Sequence, residues 1–241
     1  MDTLTITYRF RLSDDSTAEF PVTIDRESLE IVRSDDPAPE WTALDFHKCD
    51  HCPLSSDTTP NCPLSASIAN VVERFEDILS YSEVEVEVEA EERTIRRVST
   101  AQQGLSALMG MIMATSGCPY TAYFKPMARF HLPFANEEET VYRAVSMYLL
   151  SQYFVTTEVK DIDIELDGLQ KIYLDIQQLN RAMATRIREA ITHDAAVNAI
   201  VVLDFFAQTM PFAIEDHLDE LRPMFSAYLK QASDNGGCNG D

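Results

Sequence analysis

SEVEVEVEAEERTIRRVSTAQQGLSALMGMIMATSG, residues 82–117, changes its period midway, and that change decides the fold class. Val84, Val86 and Val88 alternate with Glu83, Glu85, Glu87 and Glu89, the period of two that lays one apolar face on a strand. A reversal into Arg93, Arg96 and Arg97 sets a second strand beside the first, with glutamates and arginines facing each other or water. From Ser99 the spacing turns helical. Ser99-Thr-Ala-Gln102 has the capping-box form, Leu105, Leu108, Met109, Ile112 and Met113 mark one apolar stripe, and Gly117 suits a C-terminal cap. Core packing accounts for the methionines on that stripe.

Upstream the pattern is strand-like. Leu4, Ile6, Tyr8, Phe10 and Leu12 alternate with polar residues, SDDS (13–16) makes a turn, and Phe20, Val22 and Ile24 return, with Leu29 to Val32 as a third strand. Pro63 opens a helix carrying Leu64, Ile68, Val71, Val72, Phe75 and Leu79, which makes Cys62 its N-cap. Downstream the pattern is helical. Asn136 and Glu139 form a capping box for a helix to about Phe154, and Leu166, Leu169, Ile172, Ile176, Leu179, Met183 and Ile187 form the seam of a long one to about Thr192. Ala195 to Met210 is apolar nearly all round and therefore expected at the centre. Pro211 is expected to separate it from a last amphipathic helix with Leu218, Leu221, Phe225 and Leu229, kinked or restarted at Pro223. His193-Asp194 reads as a cap and Asp204 as a buried hydrogen-bonded group.

The expectation is an α+β protein in which N-terminal antiparallel β hairpins pack against a C-terminal helical bundle. Residues 1–99 form the β-rich part with a cysteine loop and one helix, 100–233 the bundle, and 234–241 a disordered tail holding Cys238, the whole acting as one cooperative unit.

Charge and motifs narrow the chemistry. Forty acidic residues against 19 basic give a net charge of -21, which repels phosphate backbones and anionic lipid, so neither nucleic acid nor a membrane is an expected partner. With no basic and apolar leader and no apolar run of membrane-spanning length, a cytoplasmic address is expected. The seven glycines include no phosphate-cradling loop, and neither H-E-x-x-H, a helical Glu-x-x-His pair nor G-x-S-x-G occurs.

What remains is FHKCDHCPLSSDTTPNCPL, residues 46–64. Cys49 and Cys52 stand at the two-residue spacing of zinc ribbons and iron–sulfur loops, Cys62 follows, and Cys118 comes after the helix that starts near Ser99. Cys52, Cys62 and Cys118 are each followed by proline, which stiffens the chain beside a ligand and removes a competing amide. Five cysteines in a reducing compartment do not suggest a disulfide framework. The expected site is therefore metal-binding, with Cys49, Cys52, Cys62 and Cys118 as ligands to zinc or an iron–sulfur cluster, and with His47, His51 or His131 able to replace a sulfur. Cys62, at a helix N-terminus, has its thiolate favoured, whereas Cys118 needs a cation to ionise. The competing readings are a dithiol redox pair in Cys49-Asp-His-Cys52 and unligated thiols.

KPMARFHLPF, residues 125–134, supplies a second constellation. Read as an extended turn, it aims Arg129 and His131 one way, as groups for binding a cofactor or a small anionic ligand or for acid–base work near Cys118. The plainer reading pairs Arg129 with one of Glu137, Glu138 and Glu139 and leaves His131 on a backbone carbonyl.

The run from Gly104 to Phe154, together with CDHCPL, NCPL, SGCPY and PMARFHLPF, resembles an uncharacterised bacterial family, a domain of unknown function found mostly in proteobacteria. The resemblance covers most of the chain and implies no activity, substrate or cofactor. The expected function is that of a structural or sensory binding module, with an unidentified protein or small anionic ligand as partner. The alternative is a metal-assisted or dithiol redox enzyme with its site near Cys118, Arg129 and His131.

Overall fold

Alternation builds a sheet with one greasy face. In the computed structural model, which describes residues 2–12, 15–33, 37–75, 78–156, 162–190 and 194–236, β1 (Thr3–Arg11) and β2 (Thr17–Asp25) form the first hairpin. β3 (Glu83–Glu89) and β4 (Thr94–Thr100) form the second. The order is β2-β1-β3-β4, antiparallel throughout, so β1 joins the two hairpins through pairs such as Tyr8 with Val88. Leu4, Ile6, Tyr8, Phe10, Phe20, Val22, Val84 and Val86 turn to one face and are buried. On the other, Arg9 bridges Glu19, Glu87 and Glu89, and Arg96 pairs with Glu87 directly across from it. The glutamates and arginines of the second hairpin thus face one another over solvent, as the alternation predicts.

Seven α-helices complete the α+β fold among the described residues. They are α1 (Pro63–Arg74), α2 (Ala101–Thr115), the short α3 (Lys125–Arg129), α4 (Glu137–Val155), α5 (Asp167–Ala190), α6 (Ala195–Leu221) and α7 (Ser226–Gly236). α2 lies on the sheet at Gly104, where an added Cβ would come within 2.8 Å of the Phe10 ring and 2.9 Å of Val86. Only glycine fits so close an approach. α6 then packs against α2, α4 and α5. One buried cluster joins the sheet, α1 and α2 to Leu179, Met183 and Ile187 of α5 and Ala199 and Ile200 of α6. A second lies among Val141, Tyr148, Leu169, Tyr173, Met210 and Ile214.

Several local expectations give way to tertiary context. Leu29 to Val32 makes only a bridge, Ile24 with Ile31, because Ile31 N–H donates instead to the Thr115 carbonyl at the end of α2. The box at Ser99 does not form: β4 runs through Thr100, which takes the N-cap position without a side-chain bond, and Ser99 Oγ turns to Gln103. The box at Asn136 and Glu139 does form, each side chain bonded to the other's backbone N–H at 2.8 Å.

Pro211 does not divide the last helices, since α6 passes through it. Nor is α6 enclosed, with Val201, Phe205 and Phe212 exposed. Its segment Ala195–Ile214 is long and apolar enough by composition to cross a membrane, although part of it packs inside the protein. The restart at Pro223 is real, a 3-10 turn over Arg222–Phe225 leading into α7. Helix extends to Gly236, past the expected end of the bundle, while Cys238 and His193 lie outside the described residues. Asp194 receives Ser80 N–H, Ser80 Oγ–H and Asn198 Nδ2–H. Asp204 accepts Gln208 Nε2–H through one oxygen and leaves the other enclosed without a partner.

Candidate metal centre

The cysteine loop is held from both ends by backbone pairing. Leu44 N–H donates to the Pro60 carbonyl and Cys62 N–H to the Thr42 carbonyl, each at 2.8 Å, so residues 44–60 bulge from a closed neck. Within the bulge Cys52 N–H turns back onto the Cys49 carbonyl at 2.9 Å, fixing the two thiols of the C-x-x-C pair in one tight turn. Cys62 takes the predicted place at the N-cap of α1, its side chain free of any capping bond. Cys118 follows α2 and is 8% exposed.

These four thiols, far apart in sequence, share one neighbourhood. Cys49 lies within electrostatic reach of Cys62, Cys118 and Cys52, and burial together with those three pushes its pKa up to about 12. Burial likewise raises that of Cys118, opposed by the Tyr120 and Thr121 amides, which donate toward its sulfur, and by the nearby Thr121 hydroxyl, which itself donates to the Met113 carbonyl. Pro119 leaves those two amides as the first available to the sulfur, the pattern that stabilises a ligating thiolate. None of the four forms a disulfide. As they stand, no group of three or more His, Cys, Asp or Glu among the described residues is drawn tight enough to hold an ion.

α5 brings a charge that the seam pattern alone did not single out. Arg186 is 2% exposed, among the largest fully buried side chains. Its Nη1 donates to the carbonyls of Trp41 at 3.0 Å and Ala43 at 2.6 Å, and its Nη2 to Leu44 at 3.2 Å, so it clamps the neck of the cysteine loop. Nε has no partner. No carboxylate pairs with this guanidinium among the described residues; burial lowers its pKa, and the charges within its reach are those of Cys62, Cys49 and Cys52, which raise it. An isolated buried cation is costly, and ionisation of those cysteines would offset it.

Two further ties hold the bulge. His47 Nε2 meets Glu189 of α5 at 2.7 Å, and Tyr120 donates its hydroxyl to the His51 carbonyl at 2.7 Å. His51 packs its ring on Tyr120 with 4.1 Å between centroids, and both its ring nitrogens are buried without a partner. Among the histidines considered as substitutes for a sulfur, His51 therefore has free nitrogens beside Cys52, while His47 is engaged with Glu189.

The second constellation is arranged differently from expectation. Residues 125–129 are helical, so Arg129 ends α3 and His131 follows in the next loop; no extended turn aims them together. Both nevertheless line a small cleft of about 190 Å³, with Glu92 and Arg93 from the β3–β4 turn. Arg129 lies 5.4 Å from the centroid of the Phe130 ring, and the three glutamates are not its partners: Glu139 caps its own helix. His131 Nε2 bonds the buried Tyr8 hydroxyl rather than a backbone carbonyl. Burial, reinforced by the nearby Arg143, lowers its pKa to about 3, so it brings no positive charge at neutral pH. The charge that acts on His131 is that of Arg143, on α4, and on Cys118 that of Cys62.

A four-stranded antiparallel sheet packed with seven helices places the described residues in the α+β class. The family model described as a domain of unknown function, DUF6901, matches residues 6–226, and the chain belongs to that family. No curated protein and no solved structure matches the chain.

Arg186 and Tyr120 are the residues whose importance sequence reasoning did not predict. For Arg186 a signal existed: it follows Ile176, Leu179 and Met183 at helical spacing, a charge on an otherwise apolar seam.

Proposed function

We propose that Cys49, Cys52, Cys62 and Cys118 ligate one metal centre, zinc or an iron–sulfur cluster, and that the protein is a cytoplasmic binding module of structural or sensory type built around it. The observation that carries this reading is Arg186, a buried cation that pairs with no carboxylate among the described residues and lies within electrostatic reach of three of the four cysteines. Four thiolates on zinc carry net negative charge, as does a thiolate-bound cluster, and either offsets that cation. The amides aimed at Cys118 supply hydrogen bonds that such a sulfur accepts, and the imidazole of His51, next to Cys52 in sequence, has no other partner. Backbone hydrogen bonds hold the Cys49–Cys52 turn and the loop neck, and the thiols would draw together from their present positions to reach the zinc–sulfur distance of about 2.3 Å.

The centre would join the loop to α1 and α2, so metal binding is coupled to folding. A dithiol redox role is less well supported, because a redox nucleophile needs a depressed pKa and burial acts on Cys49 in the opposite sense.

Cys118→Ser tests the proposal at the ligand that lies farthest from the loop in sequence. The expected result is loss of most of the bound metal and a lower unfolding temperature in the as-purified protein, with no difference between variant and parent after chelation. Unchanged metal content and unchanged unfolding would remove Cys118 from the site and leave the reading without its fourth ligand.

A further inference from the structure

Among the described residues a cavity of about 580 Å³ opens between α2, α5, α6 and the 121–136 segment. Its size falls in the range of small-molecule sites, roughly 300–1,000 Å³. The walls are mainly apolar, with Met111, Phe124, Ile176 and Leu203 among them. Two sets stand out among its polar groups, which also include Arg97, Gln103, Ser106 and Thr140. In the first, Arg143, Tyr173 and His131 line the cavity, and Arg143 lies within electrostatic reach of both the others. Arg143 spends one Nη2 on the carbonyls of Met127 and Phe130, and its guanidinium stays charged at neutral pH.

Asn180 supplies the other set. It is 1% exposed, lines the same cavity, and neither its Nδ2 nor its Oδ1 has a hydrogen-bond partner. Buried amides are nearly always paired, and leaving one unpaired costs about 1–3 kcal/mol per group. Seven residues of helix separate it from Tyr173 on the same face of α5, a rise of roughly 10 Å.

We propose that this cavity binds an amphipathic carboxylate: its acidic head at Arg143 and Tyr173, an apolar body along the walls, and a hydroxyl or carbonyl group at its far end paired with Asn180. The site is distinct from the cysteine centre, and the proposal stands whether or not that centre holds metal.

Calorimetric titration of the full chain with ω-hydroxydecanoic acid tests it, against decanoic acid, which lacks the distal hydroxyl, and decane-α,ω-diol, which lacks the carboxylate. The hydroxy acid is expected to bind at a single site, about tenfold more tightly than either truncated compound, the increment of one buried hydrogen bond. Asn180→Leu, close in volume, should bring the hydroxy acid to the affinity of decanoic acid and leave decanoic acid itself unchanged. No binding of the hydroxy acid, equal affinity for all three compounds, or indifference to Asn180→Leu would overturn the proposal.

Discussion

Arg186 and Asn180 stand less than two turns apart on α5, both buried, and they face opposite situations. Arg186 is engaged: three backbone carbonyls at the neck of the cysteine loop take hydrogen bonds from its two terminal nitrogens, Nε alone is unpaired, and what it lacks is a counter-charge. Asn180 is idle, with neither amide atom bonded and a cavity in front of it. One helix thus presents a residue that already organises its surroundings and another that waits for a partner. A buried polar group that is paired holds the protein together, whereas an unpaired one lowers stability and is explained only by something that binds it.

The comparison breaks most visibly at Arg186. Arg186→Leu leaves the carbonyls of Trp41, Ala43 and Leu44 without their donor and the thiol neighbourhood without its cation. It should cost about 3–5 kcal/mol of stability in chemical unfolding, the range for breaking a buried charged network. Asn180→Leu should do the reverse and stabilise the ligand-free protein, by about 1–2 kcal/mol, because it removes orphan groups at little change in volume. Equal and like-signed effects would erase the distinction between the two.

His131 sharpens the contrast from the other side of the cavity, since it is a buried polar group satisfied by a neutral partner, Tyr8. Its folded pKa of about 3 lies below the ordinary 6.5, so between those values the unfolded chain binds the proton that the folded chain refuses. Stability therefore rises with pH across that window and is lost as pH falls through it, by on the order of 3 kcal/mol. Asp25, Glu87 and Asp163, whose pKa values are lowered, add their own loss only in the carboxylate range. Between pH 6.5 and 4.5, His131→Gln should flatten the dependence of the unfolding midpoint; an unchanged slope would refute the assignment. Gly104→Ala, at the α2–sheet contact, should cost about 1–3 kcal/mol by forcing Phe10 and Val86 aside.

How much of this was written in the sequence follows from periodicity. The hairpins, α1, α4 and α5 were legible because their apolar residues recur at two or at three and four, and the α+β class followed. The order of strands was not, because the pairing of β1 with β3 joins residues some eighty positions apart and no local pattern encodes it. Pro211 misled because neighbouring helices hold α6 continuous through it. The C-P step is what joined Cys118 to the other thiols as a candidate. Their counter-charge was not anticipated, since Arg186 is one cation on a long seam until the fold shows that no carboxylate pairs with it among the described residues. Asn180 likewise falls on the seam face and becomes informative only when its amide is seen to be unpaired.

The central claim is that the four thiols exist to be ionised around a metal. Metal analysis with a visible spectrum, on protein purified anaerobically, tests it most directly. About one centre per chain is expected: zinc without colour, or iron with sulfide and a brown absorbance. Protein that carries neither zinc nor iron, shows no absorbance, and whose four thiols react freely in the folded state would contradict it.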